Sequence, residues 1–269
     1  MRVKNKAPTQ GGETLGFGLG GGCRRTLFDL LLGIKKIVAG YPYPMRILPV
    51  LGKFLISVGV GVLLFVAWTL WGTGIATRQQ QHRLSDEFDH LPRIQVAVNA
   101  KVGHQGPPAS YDPKPGEPVF RIKIPKIQLN DGKGYMVVEG VDTNDLSLGP
   151  GHYPHCRPGF TSENLCTKAP EVWPGQNGRV IVSGHRTTHL APFYDLEQVQ
   201  PGNHIILETR WGDFTYIVTK QKIVLPTDIG IADPLASKVP EIVLTTCNPR
   251  FSASQRLVVF ARLSESNPA

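Results

Sequence analysis

The chain has 269 residues and a formal net charge of +8, and its 41% hydrophobic content excludes a wholly disordered protein. Charged residues reach only 19%, while 29 glycines and 23 prolines predict long irregular stretches. One ordinary domain of about 150 residues with attachments therefore fits better than one large domain.

The positive balance does not require a nucleic acid, and none is expected as a partner. Arg2, Lys4, Lys6, Arg24, Arg25, Lys35, Lys36, Arg46 and Lys53 all precede the long apolar segment, against only Glu13 and Asp29. That asymmetry is a topology signal. Residues 1–53 are expected to form a cytoplasmic, basic, partly disordered tail. Within it the run from Arg24 to Val38 has apolar clusters with basic ends. It suits either an amphipathic helix on the inner membrane surface or an unstructured topology-setting tail, and Cys23 is a weak candidate for acylation.

Residues 54–76, FLISVGVGVLLFVAWTLWGTGIA, carry no charge. About 20 apolar residues at 1.5 Å rise cover a hydrocarbon core of about 30 Å, so a single transmembrane helix is expected here. Its length and its distance from residue 1 argue against a cleaved signal peptide. The basic flank keeps the N-terminus cytoplasmic and sends the rest of this cell-membrane protein outside. Residues 77–111, first polar and then rich in Gly and Pro, read as a stalk, with a short helix at most at its start.

From residue 112 to 269 the texture is that of a β domain. The runs VFRIKIP, RVIVSGH, HIILETR, DFTYIVTKQKIVL, EIVLTTC and RLVVFARL are rich in β-branched and aromatic residues and are separated by turn signals. They predict a mainly β fold, a closed or nearly closed barrel, with few helices, chiefly around NDLSL and APFYDLEQV.

Three cysteines, Cys156, Cys166 and Cys247, fall in the extracytoplasmic part, where disulfides form. Pairing Cys156 with Cys166 across CRPGFTSENLC leaves Cys247 as a free thiol, which outside the cell suggests chemistry rather than packing. A nucleophilic thiol needs a proton partner and a group to balance the oxyanion formed on an attacked acyl carbon. His185 follows RVIVSG, Cys247 follows EIVLTT, and Arg256 opens the last strand, so all three stand at predicted strand ends.

The motifs SGHRTT (183–188), GPGHYP (149–154) and LTTCNPRFSASQRLVVFARL (244–263), in the order His, Cys, Arg, resemble a class E-type sortase over residues 118–264. The resemblance implies a closed sortase-type β-barrel and a cysteine transpeptidase. Such an enzyme cleaves an LPxTG- or LAxTG-like sorting signal after Thr and passes the acyl group to a cell-wall amine. It implies Cys247 as nucleophile, His185 as acid and base, and Arg256 as orienter and oxyanion partner, with Tyr153 and Thr246 as substrate contacts. Implied partners are secreted proteins with a C-terminal sorting signal and a cell-wall precursor amine, without a cofactor. The segment CRPGFTSENLC departs from the family pattern, which passes more directly from GHYP to the turn kept here as WPGQNG. It predicts an inserted loop closed by Cys156 and Cys166.

Other readings stay open at this level. A pilus-assembling sortase would use the same three residues with a pilin lysine as the amine. A noncatalytic barrel would bind peptide or metal through His185, His189 and Cys247, although no metal is expected from that spacing. Asp195 is a candidate to orient a histidine, and His152 lies beside Tyr153 in a segment that borders the groove in the family.

Overall fold

The computed structural model describes residues 47–95, 106–156, 166 and 170–268; the expected disordered tail, the Arg24–Val38 helix and Cys23 lie outside them. Helix α1 runs Ile47–Ala67, and Leu48–Ala67 is long and apolar enough to cross a membrane. It starts seven residues before the expected Phe54. ILPVLGK is apolar apart from Lys53, whose long stem lets its ammonium reach a polar boundary. The helix widens into a five-residue π-helical turn at Trp68–Gly72 and continues as α2, Thr73–His90.

The domain is a closed barrel of eight strands: β1 (Pro118–Lys123), β2 (Tyr135–Glu139), β3 (Gly151–His152), β4 (Gly178–Ser183), β5 (His204–Thr209), β6 (Gly212–Val224), β7 (Pro240–Asn248) and β8 (Gln255–Pro268). They close in the order β1-β2-β3-β4-β7-β8-β6-β5. Pairings are antiparallel except β2 with β3 and β4 with β7. The six expected strand runs became β1 and β4 to β8. Of the expected helices, NDLSL became α3, Thr143–Leu148, capped by the Asp142 carboxylate, whereas APFYDLEQV holds only a 3-10 turn at Leu196–Gln198.

Alternate side chains fill the interior. Val180 and Val182 of β4, Ile242 and Leu244 of β7, and Leu257, Val259 and Ala261 of β8 share one core with Phe120, Phe193, Trp211 and Tyr216. Each large side chain removed from water stabilises the fold by about 1.5–3 kcal/mol. The polar tips of the aromatics are satisfied: Trp211 Nε1 donates to the Pro174 carbonyl at 3.0 Å, and Tyr216 Oη accepts from the Gly175 amide at 3.1 Å.

Residues 77–90, expected to belong to a stalk, instead cover the outer face of β2. Thr77, Gln81, Leu84 and Phe88 recur at helical spacing and are all buried, and Leu84 and Phe88 pack on Met136 and Val138. Gln81 completes the contact with its amide. Its Nε2 donates to the carbonyls of Met136 and Leu148, and its Oε1 accepts the Met136 amide at 2.8 Å. A Cβ on Gly149 would meet Gln81 Nε2 at 2.2 Å, so glycine is required there for close approach.

Inside the barrel wall, His152 is fully enclosed. Its Nδ1 lies 2.9 Å from Glu139 Oε2, its Nε2 lies 3.3 Å from the Val172 carbonyl, and its ring lies tilted against Trp173. Burial alone would lower its pKa, but the charge and hydrogen bond of Glu139 outweigh this and raise it. A raised folded-state pKa contributes stability that is complete below the ordinary value of about 6.5 and is lost as pH rises through the folded value. Thermal unfolding should therefore show His152-dependent stability falling on the alkaline side of that window. Glu139→Gln should remove the trend, because burial then favours the neutral imidazole, and cost about 2 kcal/mol through loss of the charge-assisted bond.

Candidate active site

The site is built by register. Parallel pairing of β4 with β7 ends with Ser183 opposite Thr245, and the Gly184 amide still donates to the Thr245 carbonyl at 3.1 Å. His185 therefore leaves β4 at the level of Cys247. Antiparallel pairing of β7 with β8 sets Cys247 directly opposite Arg256. Residues so opposed have Cβ atoms about 5 Å apart and point to the same face.

That face is the outer one. Val243, Val258 and Phe260 form a separate cluster outside the barrel, and Cys247 and Arg256 follow their parity along β7 and β8. Cys247 is partly exposed and is the free cysteine among the described residues. His185 has its Nε2 sealed from solvent without a hydrogen-bond partner among the described residues. Burial first, and the neighbouring His189 second, push its pKa below the ordinary range, so the neutral imidazole is favoured. Arg256 Nη1 donates to the carbonyls of Ala253 and Gln255 at 3.0 Å each, which braces the turn before β8.

Tyr153 lies on the same wall, its amide donating to the Ile181 carbonyl at 3.0 Å. Burial raises its phenol, while the charge of Arg256 acts against the rise and marks the two as electrostatic neighbours. Thr246, expected as a substrate contact, is turned the other way. It is 2% exposed, and its hydroxyl donates to the Gly184 carbonyl at 2.7 Å, tying β7 to β4. The period of two puts it inside when its neighbour Cys247 is outside.

The secondary candidates also separate. Asp195 receives bonds from Arg250 and Gln198, and the charge acting on His185 among the described residues is that of His189. His152 belongs to the buried pair with Glu139 rather than to the outer face. His189 stacks on His185 with ring centroids 4.8 Å apart, and the described residues include no metal-holding group of three or more His, Cys, Asp or Glu. Cys156 and Cys166 are joined as a disulfide, two residues beyond Pro154 in the GPGHYP segment.

Arg186 was not singled out in the sequence, yet it ties the two loops of the site together. Only 5% exposed, it donates through Nη1 to the Cys247 carbonyl at 3.2 Å and to Asn248 Oδ1 at 2.6 Å, and through Nη2 to Glu197 Oε2 at 2.8 Å. Glu197 also pairs with Arg250, which bonds Asp195 and lies over the Tyr194 ring. An arginine directly after a strand-end histidine was the available signal. Its burial depends on partners some 60 positions away and could not be read from the chain.

The Sortase domain profile matches residues 122–264, which include all three strand ends. The chain belongs to the sortase family. Sortase SrtE1 of Streptomyces coelicolor is 27% identical over 229 residues, covering 81% of this chain and 57% of that protein, in keeping with the class E resemblance. Sortase D of Bacillus subtilis is 32% identical over 158 residues, covering 57% of this chain and 68% of that protein. Among solved structures, the SrtF sortase from Corynebacterium diphtheriae has a TM-score of 0.50 at 24% identity, over 61% of this chain and 93% of that one, a likeness of fold. The sortase match ends at residue 264, close to the end of the barrel, and leaves out α1 and α2.

The buried fork of Arg186 gives this sortase a specific weak point. Arg186→Met should lower stability by about 3 kcal/mol, because Glu197 and the acceptors at Cys247 and Asn248 lose their shared donor. Arg186→Lys should recover only part of this, since a point charge cannot serve acceptors in three directions. Denaturant unfolding of the two variants beside the parent checks both expectations.

Proposed function

We propose that the chain is a membrane-anchored cysteine transpeptidase that acts on an LPxTG- or LAxTG-like sorting signal, with Cys247, His185 and Arg256 as its catalytic residues. The observation that carries the reading is the shared register of three adjacent strands. It supports a thiol, an imidazole and a guanidinium on one outer face. In the first step Cys247 Sγ attacks the carbonyl carbon of the signal's Thr as the thiol proton passes to His185, and Arg256 balances the charge on the carbonyl oxygen. The C–N bond then breaks. The departing glycine amine takes the proton from His185, leaving a thioacyl enzyme. An incoming amine gives its proton to His185 as its nitrogen attacks the thioester, and the new amide leaves as the sulfur departs and is reprotonated. Tyr153 is assigned as a substrate contact because it lies on the same wall near Arg256.

The location follows from independent features. Helix α1 is long and apolar enough to span a bilayer, nine basic residues precede its apolar core, and the barrel carries a disulfide, which persists in oxidising compartments. These support a cytoplasmic N-terminus and an extracytoplasmic barrel, with secreted proteins bearing a sorting signal and a cell-wall amine as partners. A pilin lysine as the amine would use the same site. A noncatalytic peptide-binding barrel is disfavoured because binding does not require a free, partly exposed thiol.

The test is mass spectrometry of the detergent-solubilised full chain with LPxTG and LAxTG peptides and triglycine. The expected result is a thioacyl adduct on Cys247 and a triglycine-extended product, both absent from Cys247→Ala. Cleavage that survives Cys247→Ala would overturn the assignment. The rate should also carry an acidic limb. His185 must be neutral to take the thiol proton, and its pKa is lowered, so activity should persist below about 6.5 and fall as pH drops through the lowered value. A limb well above 6.5 in the pH–rate profile would contradict that environment.

A further inference from the structure

Two features that this chemistry leaves unused meet on one side of His185. One is the ring of His189, stacked on His185 with centroids 4.8 Å apart and planes at 28°. The other is the backbone that carries it. His189, Leu190 and Ala191 have φ of 50°, 64° and 46°, three consecutive left-handed residues without a glycine. L-residues adopt this conformation at an energetic cost, so surrounding contacts must impose it.

Those contacts come partly from the barrel and partly from α2. Leu190 packs against the barrel core, the Ala191 amide donates to the Thr188 carbonyl at 2.8 Å, and the Phe193 amide donates to the His185 carbonyl at 3.1 Å. From α2, Gly74 lies beside Leu190, where a Cβ would make an ordinary contact of 3.5 Å with Leu190 Cδ2. One turn on, the buried Thr77 hydroxyl lies 3.3 Å from His189 Nδ1 and donates to the Ser147 carbonyl at 2.8 Å. A hydroxyl has one proton. With that proton on the Ser147 carbonyl, the Thr77 oxygen is an acceptor for His189, and the Ser147 carbonyl is a second one, so the two together favour a proton on His189 Nδ1.

We propose that Thr77 and His189 are positioning residues for His185: helix α2 helps to set the tautomer and place of His189, and the His189 ring holds the His185 imidazole in place at the level of Cys247. The inference rests on His185 being the acid–base partner of Cys247. It makes the segment just after the apolar helix a working part of the site rather than a spacer.

The charges around the pair are consistent with this role. His189 opposes protonation of His185, and burial opposes protonation of both rings. From the surrounding elements, Cys247 and Arg256 face the site on β7 and β8, and Tyr153 follows β3. Arg186 is directed to Cys247 and Glu197, and Asp145 of α3 is bound within its own helix cap. Among the described residues, the charge acting on His185 is that of His189, and His189 is held by a hydrogen bond to the Ser147 carbonyl against the effect of burial.

Iodoacetamide alkylation of Cys247 tests the inference without any peptide substrate. The full chain in detergent is alkylated from acidic to alkaline pH, and Cys247 is read by peptide mass spectrometry in the parent, T77V, T77S, H189F, T77V/H189F and H185A. Thr77→Val should slow alkylation at neutral pH about fivefold, the factor associated with one lost hydrogen bond, and Thr77→Ser should restore it. His189→Phe keeps a stacked ring but removes the opposing charge, so the acidic limb should move to higher pH. Thr77→Val should add nothing in the H189F background. A T77V profile equal to the parent, an unmoved H189F limb, or equal T77V effects in both backgrounds would each overturn the proposal. Should T77V fail to fold, the H189F limb decides alone. If H185A leaves the profile unchanged, the failure lies instead in the reading of His185 as partner of Cys247.

Discussion

Parallel pairing of β4 with β7, running from Gly178 opposite Pro240 to Ser183 opposite Thr245, is the constraint on which the site depends. It carries β4 to the level of Thr245, and β7 runs on from there to set Cys247 across from Arg256, near the start of antiparallel β8. Because side chains alternate along a strand, a slip of one residue would send Cys247 into the barrel and Thr246 out. The apolar runs exclude that slip. Ile242 and Leu244 fill the interior, while Val243 is covered from outside by Val258 and Phe260.

A barrel end is not rigid by itself, since the loops beyond it lack ladder hydrogen bonds. Here the loop after His185 and the loop after Cys247 are joined through the Arg186 guanidinium, with Glu197 and Arg250 extending the link. A buried arginine needs acceptors for its charge, and those met by Nη1 and Nη2 include the backbone of the proposed nucleophile. Helix α2 performs a related task on the other side, with Gln81 holding β2 and Thr77 reaching the turn at His189.

Two histidines in this fold show how surroundings decide protonation. His152 and His185 belong to adjacent segments of the barrel wall, with His152 paired to Val182 and His185 three residues beyond that position. His152 faces Glu139 and is raised despite burial; His185 faces another imidazole and is lowered by it as well as by burial. The first is suited to a fixed charge in the core. The second keeps the neutral form that a proton acceptor requires.

The sequence by itself determined six of the eight strands, the apolar helix and the three strand-end residues, because alternation, uninterrupted apolarity and the sortase-like motifs are local signals. It did not reveal β2, which is buried along its whole length between barrel interior and α2 and so has no alternation to read. It also placed Thr246 in the groove and residues 77–90 in a stalk. Parity at β7 turned Thr246 inward, and a stripe of Thr77, Gln81, Leu84 and Phe88 among polar residues docked the helix. Only the tertiary structure decided these points, along with the burial of Arg186 and the stacking of His189. Each depends on partners tens of residues away, whose positions are set by barrel closure and not by neighbouring sequence.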